Sequence, residues 1–365
     1  MIRGIVSFIL LLILFAPAYA EAEVDILAPE HETRVVDQTV WLVVSAPGGP
    51  KDMTAVLRNK DTGKKKKIEG KVYKDVFHAL LSLEPGLNEV TVGGKTLLLS
   101  YGSKYGPAHT PAGSKKDFRK YPRYLFHTPD KERKCSWCHK GMDITTADST
   151  TTSQLDCVKC HAELLTAVKY LHGPLGGKAC FVCHDPASTP SKFAPKFGGK
   201  GELCFGCHQA SNVKLSKKRY FHGPVGANEC TACHDPHGSR FRYQLVEKGG
   251  PLCYLCHDQK RLVGGKIIHG AVQYNGCAIC HDPHASNYKA QLVDAERTLC
   301  AQAECHPRYE GITRGHPTTN HPLMGVRDPL SPERELSCSS CHNPHSSDFS
   351  FLLPGVGYSM CSKCH

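Results

Sequence analysis

The sequence predicts two parts of different construction. The first is an all-β sandwich, and the second is longer, with short helices and mostly irregular chain. Two observations support this division. All 20 cysteines lie after residue 134. From residue 127 onward a unit of about 50 residues occurs five times.

The first 20 residues have the pattern of a secretory signal. Arg3 precedes an apolar stretch at 5–15, and Ala18 and Ala20 supply the small residues of a cleavage site. The alternative is a membrane anchor, but this stretch is shorter than the roughly 20 residues that a spanning helix needs. We expect residues 1–20 to be a signal peptide and the mature protein to be exported, to the periplasm, the cell surface or the extracellular space.

Residues 21–101 are predicted to form an immunoglobulin-like β-sandwich. Short apolar runs lie at 40–44, 53–57, 76–83, 89–92 and 96–99. Turn signals such as Pro85-Gly86 and Gly93-Gly94 separate them. Six or seven strands at this spacing favour two packed sheets. The lysines at 64–67 are interpreted as a solvated hairpin tip, and residues 102–126 as a linker.

Each cysteine pair of the second part is followed at once by histidine. Nine pairs have the spacing C-x-x-C-H, and one has four residues between its cysteines. In chain order, as motifs 1 to 10, they are Cys135/Cys138/His139, Cys157/Cys160/His161, Cys180/Cys183/His184, Cys204/Cys207/His208, Cys230/Cys233/His234, Cys253/Cys256/His257, Cys277/Cys280/His281, Cys300/Cys305/His306, Cys338/Cys341/His342 and Cys361/Cys364/His365. Such motifs attach haem c through two thioethers, and their histidine binds the iron. We therefore expect ten covalently bound haem c groups per chain.

Disulfides, zinc and nucleic acid are the alternatives. A zinc ribbon joins two cysteine pairs in one tetrahedral site and needs no histidine after each pair. The formal charge of +11 could indicate nucleic acid. Each bis-histidine ferric haem c adds about one negative charge when its propionates are ionised, so ten of them leave the protein nearly neutral. Haem is therefore favoured, and no nucleic-acid partner is expected.

The second part, residues 127–365, contains five two-haem repeats. Four begin with a histidine eight residues before a cysteine pair, and the fifth copy is stretched. Three carry another histidine three residues after a motif histidine. We set aside His31 and His78 of the β module. The histidines then left as distal ligands, which bind the iron face opposite the motif histidine, are His109, His127, His172, His222, His237, His269, His284, His316, His321 and His345.

Ten motif histidines and ten distal candidates match ten bis-histidine irons, although the sequence does not reveal which distal histidine serves which iron. We call the place three residues after the first motif histidine of a repeat the third position. In the first two repeats Met142 and Ala187 occupy it. His109, in the predicted linker, and His316 are expected to fill the two missing places. Met142 as an axial ligand is the alternative, and it would raise that haem's potential.

Local helices are expected around several motifs. Thr128-Pro129 and Ser331-Pro332 resemble an N-cap followed by a first-turn proline. Residues 155–171 are the best helical segment. Irregular chain around stacked haems should make up the rest, and this part should not fold without haem.

The combination of HGP, CxxCHDPH and LCxxCH resembles the doubled C-x-x-C-H multihaem c-type cytochromes of bacteria that respire periplasmic or extracellular acceptors. The likeness covers residues 109–365. It extends to the decahaem periplasmic subunits of outer-membrane electron conduits and to cytochromes that polymerise into extracellular filaments. The β module departs from the conduit subunits. The resemblance implies low-spin bis-histidine haems in a continuous chain, used in anaerobic or extracellular respiration. It also implies redox partner proteins, such as other cytochromes and inner- or outer-membrane oxidoreductases.

Three functions remain open at this stage. Six-coordinate irons leave no position for substrate, so an electron carrier without catalytic residues is the first hypothesis. A multihaem reductase with one five-coordinate haem is the second. Such reductases sometimes replace the motif histidine with lysine, and no C-x-x-C-Lys occurs here. The third is that the β module docks the cytochrome to a partner or to the cell surface.

Overall fold

The computed structural model describes residues 24–35, 38–48, 52–73, 75–101, 121–136, 157–166, 168–302, 304–306, 321–356, 358–362 and 364–365. The predicted signal peptide and residues 102–120 of the predicted linker lie outside this description. The described chain divides into two compact units. The first unit contains the chain up to Tyr101 together with 121–124, and the second runs from Leu125 to His365.

The first unit consists of β-strands in two sheets. The strands are β1 (Asp25–Ala28), β2 (Thr33–Val35), β3 (Thr39–Ser45), β4 (Thr54–Asn59), β5 (Lys65–Glu69), β6 (Lys71–Tyr73), β7 (Val76–Ser82), β8 (Gly86–Val92) and β9 (Lys95–Tyr101). One sheet has the order β1-β3-β7-β6 and the other β2-β9-β8-β4-β5. All neighbouring strands are antiparallel except β2 and β9. The described residues thus contain more strands than the six or seven predicted.

Alternating apolar residues of both sheets form one core. Leu42 and Phe77 of the first sheet and Val90 and Leu99 of the second are completely buried in the same cluster. Period-two alternation puts these side chains on one face of each strand. The five predicted apolar runs coincide with β3, β4, β7, β8 and β9, and the remaining strands are short or polar.

Two segments of the first unit differ from expectation. The lysines at 65–67 lie in the edge strand β5, which buries Ile68 and pairs with β4, and not in a hairpin tip. Charged residues on an edge strand discourage pairing with other chains. In the predicted linker, the Arg34 N–H donates to the Pro122 carbonyl at 2.7 Å, and the Tyr124 N–H donates to the Arg34 carbonyl at 2.9 Å. Residues 121–124 therefore belong structurally to the β unit.

The second unit has short helices between stretches of irregular chain. They are α1 (Pro129–Ser136), α2 (Cys157–Cys160), α3 (Glu163–Thr166), α4 (Gly173–Gly176), α5 (Cys180–Cys183), α6 (Gly201–Phe205), α7 (Gln209–Ser216), α8 (Gly223–Gly226), α9 (Gly249–Tyr254), α10 (Gln259–Val263), α11 (Glu296–Cys300), α12 (Cys338–Cys341) and α13 (Tyr358–Cys361). The helix predicted after Thr128 is confirmed as α1. The helix predicted at Ser331 is wrong, because Asp328 accepts hydrogen bonds from the Leu330 N–H and the Arg334 guanidinium and closes a turn there.

Two-residue antiparallel ladders join successive repeats. β10 (Tyr170–Leu171) pairs with β14 (Gly238–Ser239), β13 (Tyr220–Phe221) with β16 (Ala285–Ser286), and β15 (Ile267–Ile268) with β17 (Ser346–Ser347). A further short pair, β11 (His184–Asp185) with β12 (Ala194–Pro195), lies within one repeat. Each of the first three ladders brings the start of one repeat beside the first motif of the next.

The described part of the second unit contains few buried apolar side chains, namely Phe181, Ala285 and Leu299. Several large apolar side chains are instead mostly exposed, such as Phe351 at 81% and Tyr243 at 74%. A polypeptide of this size normally buries many apolar residues. The large exposed apolar area of this unit is therefore available to cover porphyrin rings. Within the described ranges, no helix has the length and apolar character to cross a membrane.

Candidate haem-binding sites

Each motif with a described backbone turn closes on itself. The N–H of the motif histidine donates to the carbonyl of the first cysteine, at 2.9 Å from His208 to Cys204 and 3.1 Å from His234 to Cys230. One turn thus gathers two thiols and an imidazole. Motif 8 keeps this geometry despite its longer spacing, because the His306 N–H donates to the Gln302 carbonyl at 3.1 Å. The extra residues of that motif therefore lie before the turn and leave the histidine in its usual place.

The rings of motif histidines and distal candidates lie in pairs. Within a repeat, the starting histidine faces the histidine of the second motif. These pairs, with their ring-centroid distances, are His127–His161 (6.3 Å), His172–His208 (6.1 Å), His222–His257 (6.0 Å), His269–His306 (6.1 Å) and His321–His365 (6.0 Å). Between repeats, the histidine of the first motif faces a histidine of the next repeat. These pairs are His184–His237 (6.1 Å), His234–His284 (6.0 Å) and His281–His345 (6.0 Å).

This separation fits one iron between two imidazoles. Two imidazole nitrogens, each about 2 Å from a metal ion, put the ring centroids about 6 Å apart. In six pairs the ring planes are nearly parallel, with angles between 7° and 16°. The planes of His127 and His161 are tilted by 47°, and those of His321 and His365 by 76°. A recurring distance at so many sites indicates a common ligand geometry.

Backbone carbonyls hold the motif histidines by Nδ1. His184, His234, His281 and His342 contact the carbonyls of Phe193, Tyr243, Ala290 and Phe351 at 2.6–2.8 Å. Each acceptor lies nine residues after its histidine and has a left-handed backbone, with φ between 55° and 60°. Because Nδ1 donates to a carbonyl, Nε2 is left as the metal-binding nitrogen.

The next repeat holds the repeat-start histidines. His172 Nδ1 lies 3.0 Å from the Pro236 carbonyl, and His222 Nδ1 lies 3.0 Å from the Pro283 carbonyl. His269 bonds to the Pro344 backbone in the same way. These prolines directly precede the third-position histidines. The same short segment therefore orients one imidazole and supplies another.

Burial keeps several of these imidazoles neutral. It is the main cause that lowers the pKa of His184, His269, His284 and His345. Neighbouring paired histidines lower these pKa values further. Neutral imidazole is the form that binds iron, so the site favours the ligating state before any metal is present.

The cysteines of successive motifs also meet. The Cys204 thiol lies beside Cys230, Cys253 beside Cys277 and Cys300 beside Cys338, which brings together motifs 4 and 5, 6 and 7, and 8 and 9. Within repeats the second cysteines are neighbours. Burial and then the adjacent Cys207 raise the pKa of Cys183; the same two causes act on Cys233 beside Cys256, Cys280 beside Cys305 and Cys341 beside Cys364. Motifs 3 to 10 thus form a continuous sequence of neighbours.

Some predicted site residues cannot be placed in this geometry. Cys138, His139, His109 and His316 lie outside the described residues, as does Met142. For Cys135 and Cys160 only the backbone is described. Among the described residues, the remaining cysteines form no disulfide, so their thiols are available for thioether attachment.

The carbonyl acceptors nine residues after the motif histidines were missed by sequence reasoning. A signal for them is present, because Gln-Leu-Val follows Tyr243 and Ala290 at the same offset in two repeats. No glycine marks the left-handed position, so the usual sequence cue for that conformation is lacking.

The paired imidazoles, the closed motif turns and the chain of neighbouring thiols define a multihaem c-type cytochrome. The comparison with protein families agrees. Residues 172–212, 222–262, 269–311 and 331–365 match the family model described as the doubled CXXCH motif. Over these segments the chain belongs to this family of multihaem cytochromes. The predicted first repeat lies outside the matched segments. No curated protein matches the chain.

Proposed function

We propose that the protein is an exported decahaem c-type cytochrome that carries electrons along a chain of bis-histidine haems in anaerobic or extracellular respiration. The observation that carries this proposal is the set of histidine pairs with ring centroids 6.0–6.3 Å apart. An iron held by two imidazoles has no open position and exchanges electrons without binding substrate. The chain's own residues then anchor, orient and bury the haems.

Ten haems, numbered by their motifs, follow from the motif count. The described pairs account for haems 2 to 8 and haem 10. For haems 1 and 9 we propose distal ligands from His109 and His316, which lie outside the described residues. Each haem would carry thioethers from its two cysteines and one axial bond from its motif histidine.

The neighbouring thiols support a linear order of haems. Each thioether fixes one edge of its porphyrin, so cysteines that touch bring the edges of two porphyrins together. The contact of Cys204 with Cys230 brings haem 4 beside haem 5, and the proximity of Cys233 and Cys256 brings haem 5 beside haem 6. Electrons would pass between haems in the order of the sequence.

Carbon monoxide binding separates the carrier from the reductase. Reduced six-coordinate haems held by two histidines bind the gas only when one ligand leaves. We expect the reduced holoprotein to show no fast carbon monoxide binding, with ten haems per chain by intact mass and pyridine haemochrome. Fast binding at one haem per chain would favour a reductase with a five-coordinate iron.

A docking role for the β module is the second candidate, and one observation favours it. On the outer face of the four-stranded sheet, Trp41 and Leu80 lie opposite each other and are each 40% exposed. We propose that this module is an immunoglobulin-like sandwich. It would attach the cytochrome to a redox partner, to an outer-membrane conduit or to neighbouring subunits of a filament. Deleting residues 21–101 tests this, because unchanged haem spectra with lost partner reduction would support docking.

A further inference from the structure

The charge beside the distal histidines changes along the haem chain. A carboxylate lies next to the distal ligand at haems 2, 3 and 5. At haem 7 a neutral amide takes the equivalent place. The positions at haems 3, 5 and 7 have the same hydrogen bonding, so the protein itself provides a matched comparison.

The comparison concerns the residue that lies two positions before the third-position histidine. The His237 N–H donates to Asp235 Oδ1 at 3.0 Å, the His284 N–H to Asp282 Oδ1 at 2.9 Å, and the His345 N–H to Asn343 Oδ1 at 3.0 Å. The backbone geometry is thus shared. Asp235 Oδ1 also lies 3.4 Å from His237 Nδ1, and Asp282 Oδ1 lies 3.7 Å from His284 Nδ1. The side chain of Asn343 carries no charge.

Haem 2 has the most buried carboxylate of this set. Glu132 Oε1 lies 3.4 Å from His127 Nδ1, and its side chain is 5% exposed. The carboxylates of Asp235 and Asp282 are 29% and 34% exposed. Lys192 Nζ lies 3.1 Å from the other oxygen of Glu132 and compensates part of its charge. Water screens an exposed carboxylate more than a buried one, whereas the ion pair with Lys192 offsets part of the charge of Glu132.

Charge beside the distal ligand therefore separates these haems into two groups. A carboxylate lies there at haems 2, 3 and 5, with a lysine against it at haem 2, and at haem 7 the neutral Asn343 takes its place.

A carboxylate at Nδ1 favours the ferric iron. Where it accepts the Nδ1 proton, as Glu132 does from His127, it makes Nε2 a better donor to the metal. Its negative charge also stabilises the extra positive charge of Fe(III) relative to Fe(II). A neutral amide at the same place does neither, so that haem is easier to reduce.

We propose that Glu132, Asp235 and Asp282 make haems 2, 3 and 5 harder to reduce than haem 7, where the neutral Asn343 takes the equivalent place. The four residues position charge and do not bind iron. The inference rests on the proposed function, because it requires that His127, His237, His284 and His345 are axial ligands.

Isosteric exchange of acid and amide tests this difference in reduction potential in the holoprotein. Asp235→Asn, Asn343→Asp and Glu132→Gln retain the side-chain shape and an acceptor oxygen while changing the charge. We expect Asn343→Asp to make one haem harder to reduce, and Asp235→Asn and Glu132→Gln to make one haem easier to reduce. For Glu132→Gln the ferrous-to-ferric ratio of that haem at a fixed potential should rise about tenfold, which is 59 mV for a one-electron couple.

Asp348→Asn is the matched control, because Asp348 accepts a hydrogen bond from the Lys266 N–H and is not among the groups beside a distal imidazole. Redox titration followed by electron paramagnetic resonance measures each potential. If Asn343→Asp shifts no haem, or shifts one to easier reduction, this role of the carboxylates is wrong although the protein is still a cytochrome. A wild-type protein with high-spin haem at these sites would instead contradict the proposed function, and this inference with it.

Discussion

The rings of His184 and His237 lie parallel to each other, 6.1 Å apart and at an angle of 7°, although they belong to neighbouring repeats. His184 follows the cysteines of motif 3, and His237 comes after motif 5. Each of the central repeats thus completes an iron site of the repeat before it. Removing one repeat would open a site in its neighbour, so the repeats should be stable and functional only as an array.

Removing His237 should open one iron site without destroying the others. We expect His237→Ala to give a high-spin signal from one haem and fast carbon monoxide binding to that haem. The motif histidine His184 would still hold the iron from the other face. The matched control is His78→Ala in the β module, which should leave the haem spectra unchanged. A wholly low-spin His237→Ala protein would show that His237 is not a ligand.

Removing haem 6 should interrupt a linear chain. The variant Cys253→Ala/Cys256→Ala/His257→Ala lacks the anchors and the motif ligand of that haem. When the protein is attached to an electrode through a C-terminal tag, only haems 7 to 10 should still exchange electrons rapidly with the electrode. The control variant Cys157→Ala/Cys160→Ala/His161→Ala lacks haem 2. In it, only haems 1 and 2 should be missing from the rapid exchange. Equal charge loss in the two variants would mean that the haems form a branched network.

Haem removal should unfold the second unit and spare the first. The buried apolar cluster with Leu42 and Phe77 lies in the β unit, whereas the described part of the second unit buries few apolar side chains. Produced in a host that cannot attach haem c, the chain should keep slow amide exchange in β3 and β7. Residues 172–365 should exchange rapidly. Slow exchange throughout residues 172–365 would contradict the view that haem supplies their core.

The left-handed residue at Tyr243 should be sensitive to side-chain branching. Its φ of 59° is costly for side chains branched at Cβ. We expect Tyr243→Ile to lower the free energy of unfolding by about 1–2 kcal/mol. Tyr243→Gly should cost less, because glycine accepts this conformation and the tyrosine side chain is mostly exposed. Denaturant unfolding of the two holoproteins measures the difference, and a glycine variant less stable than the isoleucine variant would refute the explanation.

The sequence identifies candidate ligands but does not show how they pair. Motif spacing identifies the cysteines and motif histidines because attachment chemistry fixes that spacing. The partner of His184 could not be predicted, because the two-residue ladder of Tyr170–Leu171 with Gly238–Ser239 sets the placement of neighbouring repeats. A ladder of two residues is too short to show a hydrophobic period in the sequence.

Local propensity misled the prediction where cofactor attachment or edge pairing governs the backbone. Residues 155–171 have a helical composition but contain the short helices α2 and α3 and the strand β10. The motif turn and the repeat ladder each impose their own geometry on this segment. The lysines of β5 have low strand propensity, yet pairing with β4 and burial of Ile68 hold them in a sheet.

The most direct test of the central claim is low-temperature electron paramagnetic resonance of the oxidised protein, with haem quantified on the same sample. The account predicts ten haems per chain and only low-spin signals from irons with two histidine ligands. Most should be of the type given by nearly parallel imidazole planes, as at His184 and His237. A reproducible high-spin signal near one haem per chain would contradict the carrier and favour a reductase.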